Sequence, residues 1–135
     1  MADVLIIDDD IDSAEVLAYI MRAAGHDVRI GYDGHEGLAL AKERTPDLAL
    51  LDVEMPLLGG PDMAYEMLVH DMGLEHVPVV FLSGIPNLQD VAAAVGTPYY
   101  LTKPYRHAAI MAIVARALAE RIAPHHPARQ GGRTV

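Results

Sequence analysis

Cysteine is absent from all 135 positions of the sequence. This absence excludes a disulfide framework and a zinc site built on thiolates. Long hydrophobic runs are also missing, because no apolar stretch approaches the length that crosses a membrane. The first apolar run, residues 4–7, begins without the basic segment that opens a signal peptide. We therefore expect a soluble, cytoplasmic protein with no membrane partner.

Positive charge is scarce and dispersed. The sequence contains ten lysines and arginines and 19 aspartates and glutamates, which gives a formal net charge of −9. The arginines near the C-terminus, Arg121, Arg129 and Arg133, are widely spaced rather than clustered. A surface of this charge repels nucleic acid and anionic lipid. We therefore expect no nucleic-acid partner.

Five short apolar runs alternate with amphipathic stretches along the chain. The runs cover residues 4–7, 27–31, 48–51, 77–82 and 99–102. The first, third and fourth are continuously apolar, as in strands buried on both faces of a parallel sheet. The second and fifth are mixed, which favours edge strands. The pattern predicts an α/β fold, a (βα)5 doubly wound sheet of five parallel strands.

Helix start signals stand between the predicted strands. Asp12 is followed by Glu15 at the spacing of a capping box, so Asp12 is the predicted N-cap of the first helix. The five predicted helices begin at Asp12, Asp33, Gly60, Asn87 and about residue 105. No periodicity remains near the C-terminus. We predict one domain over residues 1–122 and a flexible tail over residues 123–135.

Polar side chains stand where four of the predicted strands end. Asp8 and Asp9 follow the first strand, Asp52 the third, Ser83 the fourth and Lys103 the fifth. The carboxyl ends of parallel strands meet at one edge of the sheet, where ligands of such folds bind. Three carboxylates brought together repel one another and resist ionisation. Because carboxylate oxygens suit hard divalent cations, Asp8, Asp9 and Asp52 predict a Mg²⁺ (or Mn²⁺) site.

A carboxylate at this edge can also attack phosphorus and form an aspartyl phosphate. Such a transfer depends on positioning and on neutralising the phosphoryl oxygens. A Mg²⁺ ion, the Lys103 ammonium and the Ser83 hydroxyl can each take one oxygen. Asp52 lies at the centre of the predicted sheet, between these groups. It is therefore the predicted nucleophile.

Four motifs together resemble those of the response regulator receiver family of two-component signalling. They occupy residues 5–10 (LIIDDD), 46–56 (PDLALLDVEMP), 81–84 (FLSG) and 100–104 (YLTKP). The resemblance covers roughly residues 3–121. It implies a flavodoxin-like sheet with strand order 2-1-3-4-5, and it implies that Asp52 accepts the phosphoryl group.

The same resemblance implies the roles of the surrounding residues. Mg²⁺ would be bound by Asp9, Asp52 and the backbone carbonyl of Glu54, with Asp8 acting directly or through water. Lys103 would pair with the phosphoryl group, and its peptide bond to the following proline would be cis. Ser83 would move to hydrogen-bond the phosphoryl group, and Tyr100 would turn inward as the second part of the switch. A plain edge-strand aromatic remains the alternative for Tyr100.

The resemblance also implies the partners. The phosphodonor would be a phosphohistidine on a sensor histidine kinase or a histidine phosphotransfer protein. The chain would act as a phosphorylation-dependent switch rather than as an enzyme. Because no helix-turn-helix fits after residue 122, we expect a stand-alone regulator or relay shuttle without DNA-binding output. The face built from the fourth helix, last strand and last helix, here short and apolar, would bind an output protein or form a homodimer.

Two other functions remain open. An aspartyl-nucleophile phosphatase uses similar strand-end chemistry, but it carries a second aspartate two positions after the nucleophile, where this chain has Glu54. A flavodoxin-like nucleotide binder needs a phosphate-binding loop after the first strand. The run Asp8-Asp9-Asp10 would instead repel a phosphate in the absence of a metal.

Overall fold

Five parallel strands form a single sheet in the computed structural model, which describes residues 2–52 and 76–124. The strands are β1 (Asp3–Ile7), β2 (Asp27–Gly31), β3 (Leu48–Asp52), β4 (Val79–Ser83) and β5 (Tyr99–Thr102). Their order is β2-β1-β3-β4-β5. The predicted order and the edge positions of the second and fifth strands are thus confirmed. The burial of the strands agrees with the edge positions, because every residue of β3 and β4 is buried, whereas β2 and β5 are partly exposed.

Four helices lie in the part of the chain that the structure describes. They are α1 (Ile11–Ala23), α2 (Gly34–Glu43), α3 (Leu88–Val95) and α4 (His107–Glu120). The helix predicted to open at Gly60-Pro61, and residues 125–135 of the predicted tail, lie outside the described residues. None of the helices searched within the described ranges has the length and apolar character needed to cross a membrane.

The N-terminus of α1 differs from the prediction. Asp10, not Asp12, is the N-cap, because its backbone is extended and its carboxylate accepts hydrogen bonds from the amides of Asp12 (3.1 Å) and Ser13 (3.3 Å). Asp12 lies instead in the first turn, where its charge still suits the positive end of the helix. The predicted cap at the second helix is confirmed, since Asp33 accepts a hydrogen bond from the amide of Glu36 at 2.8 Å.

Two hydrophobic clusters lie on opposite faces of the sheet. Val4 and Ile6 of β1 belong to the cluster beneath α1 and α4, whereas Leu5 and Ile7 belong to the cluster beneath α2 and α3. All four side chains are fully buried. Burial of each contributes about 1.5–3 kcal/mol. Because helices cover both faces, only the ends of the strands are available for polar chemistry.

Two glycines allow α2 to approach the sheet closely. A Cβ atom on Gly31 would lie 2.8 Å from the backbone nitrogen of Gly37, and a Cβ atom on Gly37 would overlap the side chain of Ile7. No larger residue fits at either position without a shift. The carbonyl of Gly31 accepts a hydrogen bond from the amide of Asp8 at 3.1 Å. The close packing of α2 therefore also fixes the backbone at the carboxyl end of β1.

An ion-pair network holds the amino end of the sheet. Asp3 receives hydrogen bonds from Arg29 (3.0 Å) and Arg44 (2.8 Å), and Arg29 also donates to the carbonyls of Leu40 (2.7 Å) and Arg44 (2.8 Å) at the end of α2. Burial alone would raise the pKa of Asp3, but the hydrogen bonds and charges of the two arginines outweigh it and lower the pKa below 3.8. The network ties β1, β2 and α2 together.

Candidate functional site

Three carboxylates meet at the carboxyl edge of the sheet. Asp8 and Asp9 directly follow β1, and Asp52 is the last residue of β3, the strand beside β1. One carboxylate oxygen from each residue lies within 4.8 Å of the others. Asp8 and Asp52 are buried, whereas Asp9 is exposed and leaves the group accessible from solvent. The predicted cluster is therefore present.

The donor set of this cluster fits a hard divalent cation. It consists of carboxylate oxygens alone, which Mg²⁺ and Mn²⁺ prefer over softer ligands. The spacing permits a single ion to contact all three residues. Glu54, whose backbone carbonyl was the fourth predicted ligand, lies outside the described residues.

The side chain of Asp8 is oriented by its neighbours along the chain. Its Oδ1 accepts a hydrogen bond from the amide of Asp10 at 3.0 Å. Asp10 is itself fixed because its own carboxylate caps α1. The N-cap of α1 therefore helps to hold Asp8 in place. The sequence did not predict this contact, because the capping-box pattern favoured Asp12 as the N-cap.

Lys103 faces the carboxylates from the loop after β5. Its Nζ lies 3.3 Å from Oδ2 of Asp52 and 3.7 Å from Oδ2 of Asp8. The Lys103 side chain is 28% exposed, compared with 7% for Asp52 and 4% for Asp8. Burial by itself lowers the pKa of Lys103, but the charges of Asp52 and Asp8 overcome this effect and raise it above 10.5. The amine is therefore an ammonium ion at neutral pH.

The backbone positions Lys103 against the end of β4. The Lys103 amide donates to the carbonyl of Ser83 at 2.8 Å, and the Lys103–Pro104 peptide bond is cis, as the resemblance implied. Ser83 is the last residue of β4 and is fully buried. Its hydroxyl oxygen accepts a hydrogen bond from the amide of Ile85 at 3.1 Å. Ser83 therefore lies at the same sheet edge as Asp52, one strand away.

Tyr100 lies apart from the carboxylates, within β5. It pairs in register with Phe81 of β4, and its partly buried ring packs against the hydrophobic cluster beneath α2 and α3. The ring therefore contacts the core instead of standing wholly in water. The described fold places Tyr100 one strand from Ser83, on the edge of the sheet.

Tyr105 is a neighbour of the site that the sequence reasoning missed. It is two residues beyond Lys103 and half-buried, and it lines an open cleft with Ser13, Lys103 and Pro104. Burial raises the pKa of Tyr105, the Lys103 charge lowers it, and the charges of Asp8 and Asp52 raise it. The only available sequence signal was its proximity to Lys103, which does not show where its ring points.

Comparisons with known proteins agree with this geometry. The profile of the response regulator receiver domain matches residues 4–115. MtrA, a DNA-binding response regulator of Mycobacterium tuberculosis, is 33% identical over 117 residues, which are 85% of this chain and 50% of MtrA. RpaA, a DNA-binding dual master transcriptional regulator of Synechocystis, is 35% identical over 123 residues, which are 90% of this chain and 50% of RpaA. The chain thus spans about half the length of these curated relatives.

Solved structures show the same fold. The chemotaxis protein CheY4 of Vibrio cholerae has a TM-score of 0.78 at 27% identity, with 86% of this chain and 98% of that chain covered. A response regulator receiver domain protein from Clostridium thermocellum has a TM-score of 0.79 at 25% identity, with coverage of 90% and 97%. The chain therefore belongs to the response regulator receiver domain family, whose members are phosphorylation-dependent switches of two-component systems.

Proposed function

We propose that Asp52 is the phosphoacceptor of this receiver domain. The observation that carries the proposal is the position of the Lys103 ammonium, 3.3 Å from Oδ2 of Asp52, opposite an acidic cluster that also includes Asp8 and Asp9. A carboxylate can attack an anionic phosphoryl group only when nearby positive charge offsets the repulsion. Asp52 is the member of the cluster that lies centrally in the sheet, between Lys103 and the two aspartates after β1.

We infer that Asp8, Asp9 and Asp52 hold Mg²⁺ (or Mn²⁺), together with the backbone carbonyl of Glu54. When bound, the cation neutralises charge on the phosphoryl oxygens and on the carboxylates. The three carboxylates, whose oxygens all lie within 4.8 Å of one another, support this assignment. The buried Asp8 keeps a fixed orientation through the amide of Asp10, so its carboxylate needs little rearrangement to bind the ion.

Asp52, Lys103 and Ser83 have separate roles in the proposed phosphoryl transfer. A carboxylate oxygen of Asp52 forms the new bond to phosphorus, and the bond from phosphorus to the donor breaks, with its electron pair staying on the leaving group. The Lys103 ammonium neutralises one phosphoryl oxygen. The Ser83 hydroxyl, which now accepts a hydrogen bond from Ile85, turns to donate to another. The proposed donor is a phosphohistidine on a sensor histidine kinase or a histidine phosphotransfer protein.

The proposed switch connects Ser83 to Tyr100. A shift of Ser83 towards the phosphoryl group alters the end of β4, and the neighbouring ring of Tyr100 then moves further into the core. Phosphorylation would thereby change the balance between two conformations of the face formed by α3, β5 and α4. We propose that this face binds an output protein or a second copy of the chain. Residues 1–122 would form the receiver unit, and action without a DNA-binding output stays a prediction.

Phosphorylation with a small donor tests the proposed acceptor. The protein is incubated with acetyl phosphate in the presence of Mg²⁺ and measured by intact mass spectrometry. We expect the wild type to gain one phosphoryl group and Asp52→Asn to gain none. Asp12→Asn, which removes an exposed carboxylate from α1 without touching the cluster, should label like the wild type. Equal labelling of wild type and Asp52→Asn would contradict the assignment.

A turnover assay with a simple phosphate ester separates the switch from the phosphatase alternative. A receiver domain gains at most one phosphoryl group per molecule, whereas a phosphatase of the aspartyl-nucleophile class turns over many molecules of a simple phosphate ester. The match to the receiver family over residues 4–115 favours the switch. Sustained release of phosphate from p-nitrophenyl phosphate, abolished by Asp52→Asn, would favour the phosphatase instead.

A further inference from the structure

Tyr99 is a buried phenol that the proposed phosphorylation site does not use. It is the first residue of β5, at the end of that strand remote from Lys103, and its side chain is fully buried in the cluster beneath α1 and α4. Its hydroxyl donates a hydrogen bond to Oε1 of Glu120 at 2.9 Å and accepts one from the amide of Ile122 at 3.4 Å. One hydroxyl group therefore connects β5 to the point where the chain leaves α4.

Arg116 adds a second contact between α4 and the same tyrosine. Its guanidinium lies 5.1 Å from the centre of the Tyr99 ring, and its Nε donates to Oε1 of Glu120 at 3.3 Å. A guanidinium over an aromatic ring is attracted to the face of the ring. Both the ring and the hydroxyl of Tyr99 are thus bound by the last two turns of α4.

The backbone between Glu120 and Ile122 is strained. Arg121 has a φ of 55°, and within the described part of the chain it is the only residue other than glycine with a positive φ. This left-handed conformation is unfavourable for a residue with a Cβ atom and persists only where neighbouring contacts hold it. The exposed ion pair of Arg121 with Asp47, at 4.0 Å, adds little. The contacts with Tyr99 therefore hold the strained residue from both sides.

We propose that these hydrogen bonds of Tyr99 form a latch between β5 and the end of α4, and that phosphorylation of Asp52 opens it. The inference rests on the proposed functions of Asp52 and of Tyr100. Successive side chains of a strand point to opposite faces, so Tyr100 lies on the α2 and α3 side of β5 and Tyr99 on the α1 and α4 side. A movement of β5 that draws Tyr100 further into its cluster withdraws Tyr99 from the end of α4.

A small movement is sufficient to open the latch. β5 is an edge strand that pairs only with β4, so it is less restrained than the central strands. The distance of 3.4 Å between the Ile122 amide and the Tyr99 oxygen already exceeds the usual range of about 2.7–3.2 Å. A further shift of roughly a few tenths of an ångström breaks this hydrogen bond. The strain at Arg121 then favours the relaxed backbone.

Hydrogen exchange of the Ile122 amide, measured by NMR, tests the latch itself. Tyr99→Phe keeps the buried ring but removes the hydroxyl, and it should speed this exchange by about three- to tenfold, as expected for the loss of one hydrogen bond. Glu120→Ala removes the other partner of the hydroxyl from the surface and should act in the same direction, even if Tyr99→Phe proves too unstable to measure. Tyr19→Phe is the matched control, since Tyr19 is 75% exposed on α1 and should leave the rate unchanged.

Beryllium fluoride with Mg²⁺, a stable mimic of the aspartyl phosphate, tests the coupling to Asp52. The mimic should speed exchange at Ile122 in the wild type by about the same factor as Tyr99→Phe and should have little further effect in that variant. Because coupling between two sites is reciprocal, Tyr99→Phe should also bind the mimic more tightly than the wild type. A tyrosine that only stabilised the fold would change neither the response to the mimic nor its affinity.

The outcomes distinguish a failure of the latch from a failure of the proposed function. Equal exchange rates at Ile122 in the wild type and Tyr99→Phe would overturn the inference. An unchanged rate in the wild type with the mimic bound would also overturn it, and neither result would affect the assignment of Asp52. If the wild type neither bound the mimic nor gained a phosphoryl group from acetyl phosphate, the proposed function would fail, and the inference with it.

Discussion

Replacing Lys103 with methionine removes the ammonium but keeps a side chain of similar length. The structure sets the scale of the effect. With an effective dielectric constant of about 20, the Coulomb attraction between Lys103 and Asp52 at 3.3 Å is about 5 kcal/mol. The attraction between Lys103 and Asp8 at 3.7 Å is about 4 kcal/mol. Solvent screens the Lys103 side chain, which is 28% exposed, and burial of the ammonium opposes the attraction. We expect Lys103→Met to lower the free energy of unfolding by about 2 kcal/mol, a value between those of exposed and of buried ion pairs.

The reason for this loss is the repulsion among the carboxylates that remain. Urea unfolding without divalent cations measures the loss of stability, first for Lys103→Met alone and then for Lys103→Met combined with Asp8→Asn. Because Asp8→Asn removes one repelling charge, the cost of Lys103→Met should fall below about 1 kcal/mol in that background. Mg²⁺ should stabilise Lys103→Met more than the wild type, since the ion no longer competes with an ammonium.

The pH dependence provides an independent measure of the same pair. The pKa of Lys103 is raised above 10.5 in the folded protein, so its stabilising contribution is fully present below that pH. The contribution is lost as the pH rises through the folded-state pKa. The stability gap between wild type and Lys103→Met should therefore close only in strongly alkaline solution. Equal unfolding free energies at neutral pH, or the same cost of Lys103→Met in both backgrounds, would refute the reasoning.

Two further predictions concern the scaffold beneath the site. Gly31→Ala should destabilise the protein by about 1–3 kcal/mol in urea unfolding, because the new Cβ would lie 2.8 Å from the backbone of Gly37. It should also weaken Mg²⁺ binding through the hydrogen bond from Asp8 to the Gly31 carbonyl, and wild-type values for both quantities would contradict the packing argument. Asp3→Asn should cost about 1–3 kcal/mol near neutral pH. Because the pKa of Asp3 is lowered, that contribution is present above pH 3.8 and is lost as the pH falls through the folded-state pKa, so a gap that persists in acid would contradict it.

The division of the sheet into central and edge strands could be predicted because it follows a simple burial rule, whereas the full strand order came from the family resemblance. Continuous apolar runs became β1, β3 and β4 at the centre, and mixed runs became β2 and β5 at the edges. The convergence of Asp8, Asp9 and Asp52 then followed from the parallel arrangement of the strands. The roles proposed for these residues go beyond the geometry and depend on the labelling experiments.

Other features could not be predicted because they depend on contacts between distant or competing groups. Asp10 and Asp12 are both suitable helix caps, and the extended backbone at Asp10, whose amide binds Asp8, decides between them. The contribution of Tyr105 depends on the packing of its ring against the core beneath α1 and α4. Neither contact leaves a periodic signal in the sequence.

The position of the phosphoryl group tests the central claim most directly. Protein treated with acetyl phosphate and Mg²⁺ is reduced with borohydride, which converts a phosphorylated aspartate into homoserine, and is then mapped by peptide mass spectrometry. We predict homoserine at position 52 alone, and its loss when Mg²⁺ is removed by a chelator. Homoserine at position 8 or 9, or a stable phosphoryl group on another residue type with Asp52 unmodified, would contradict the account.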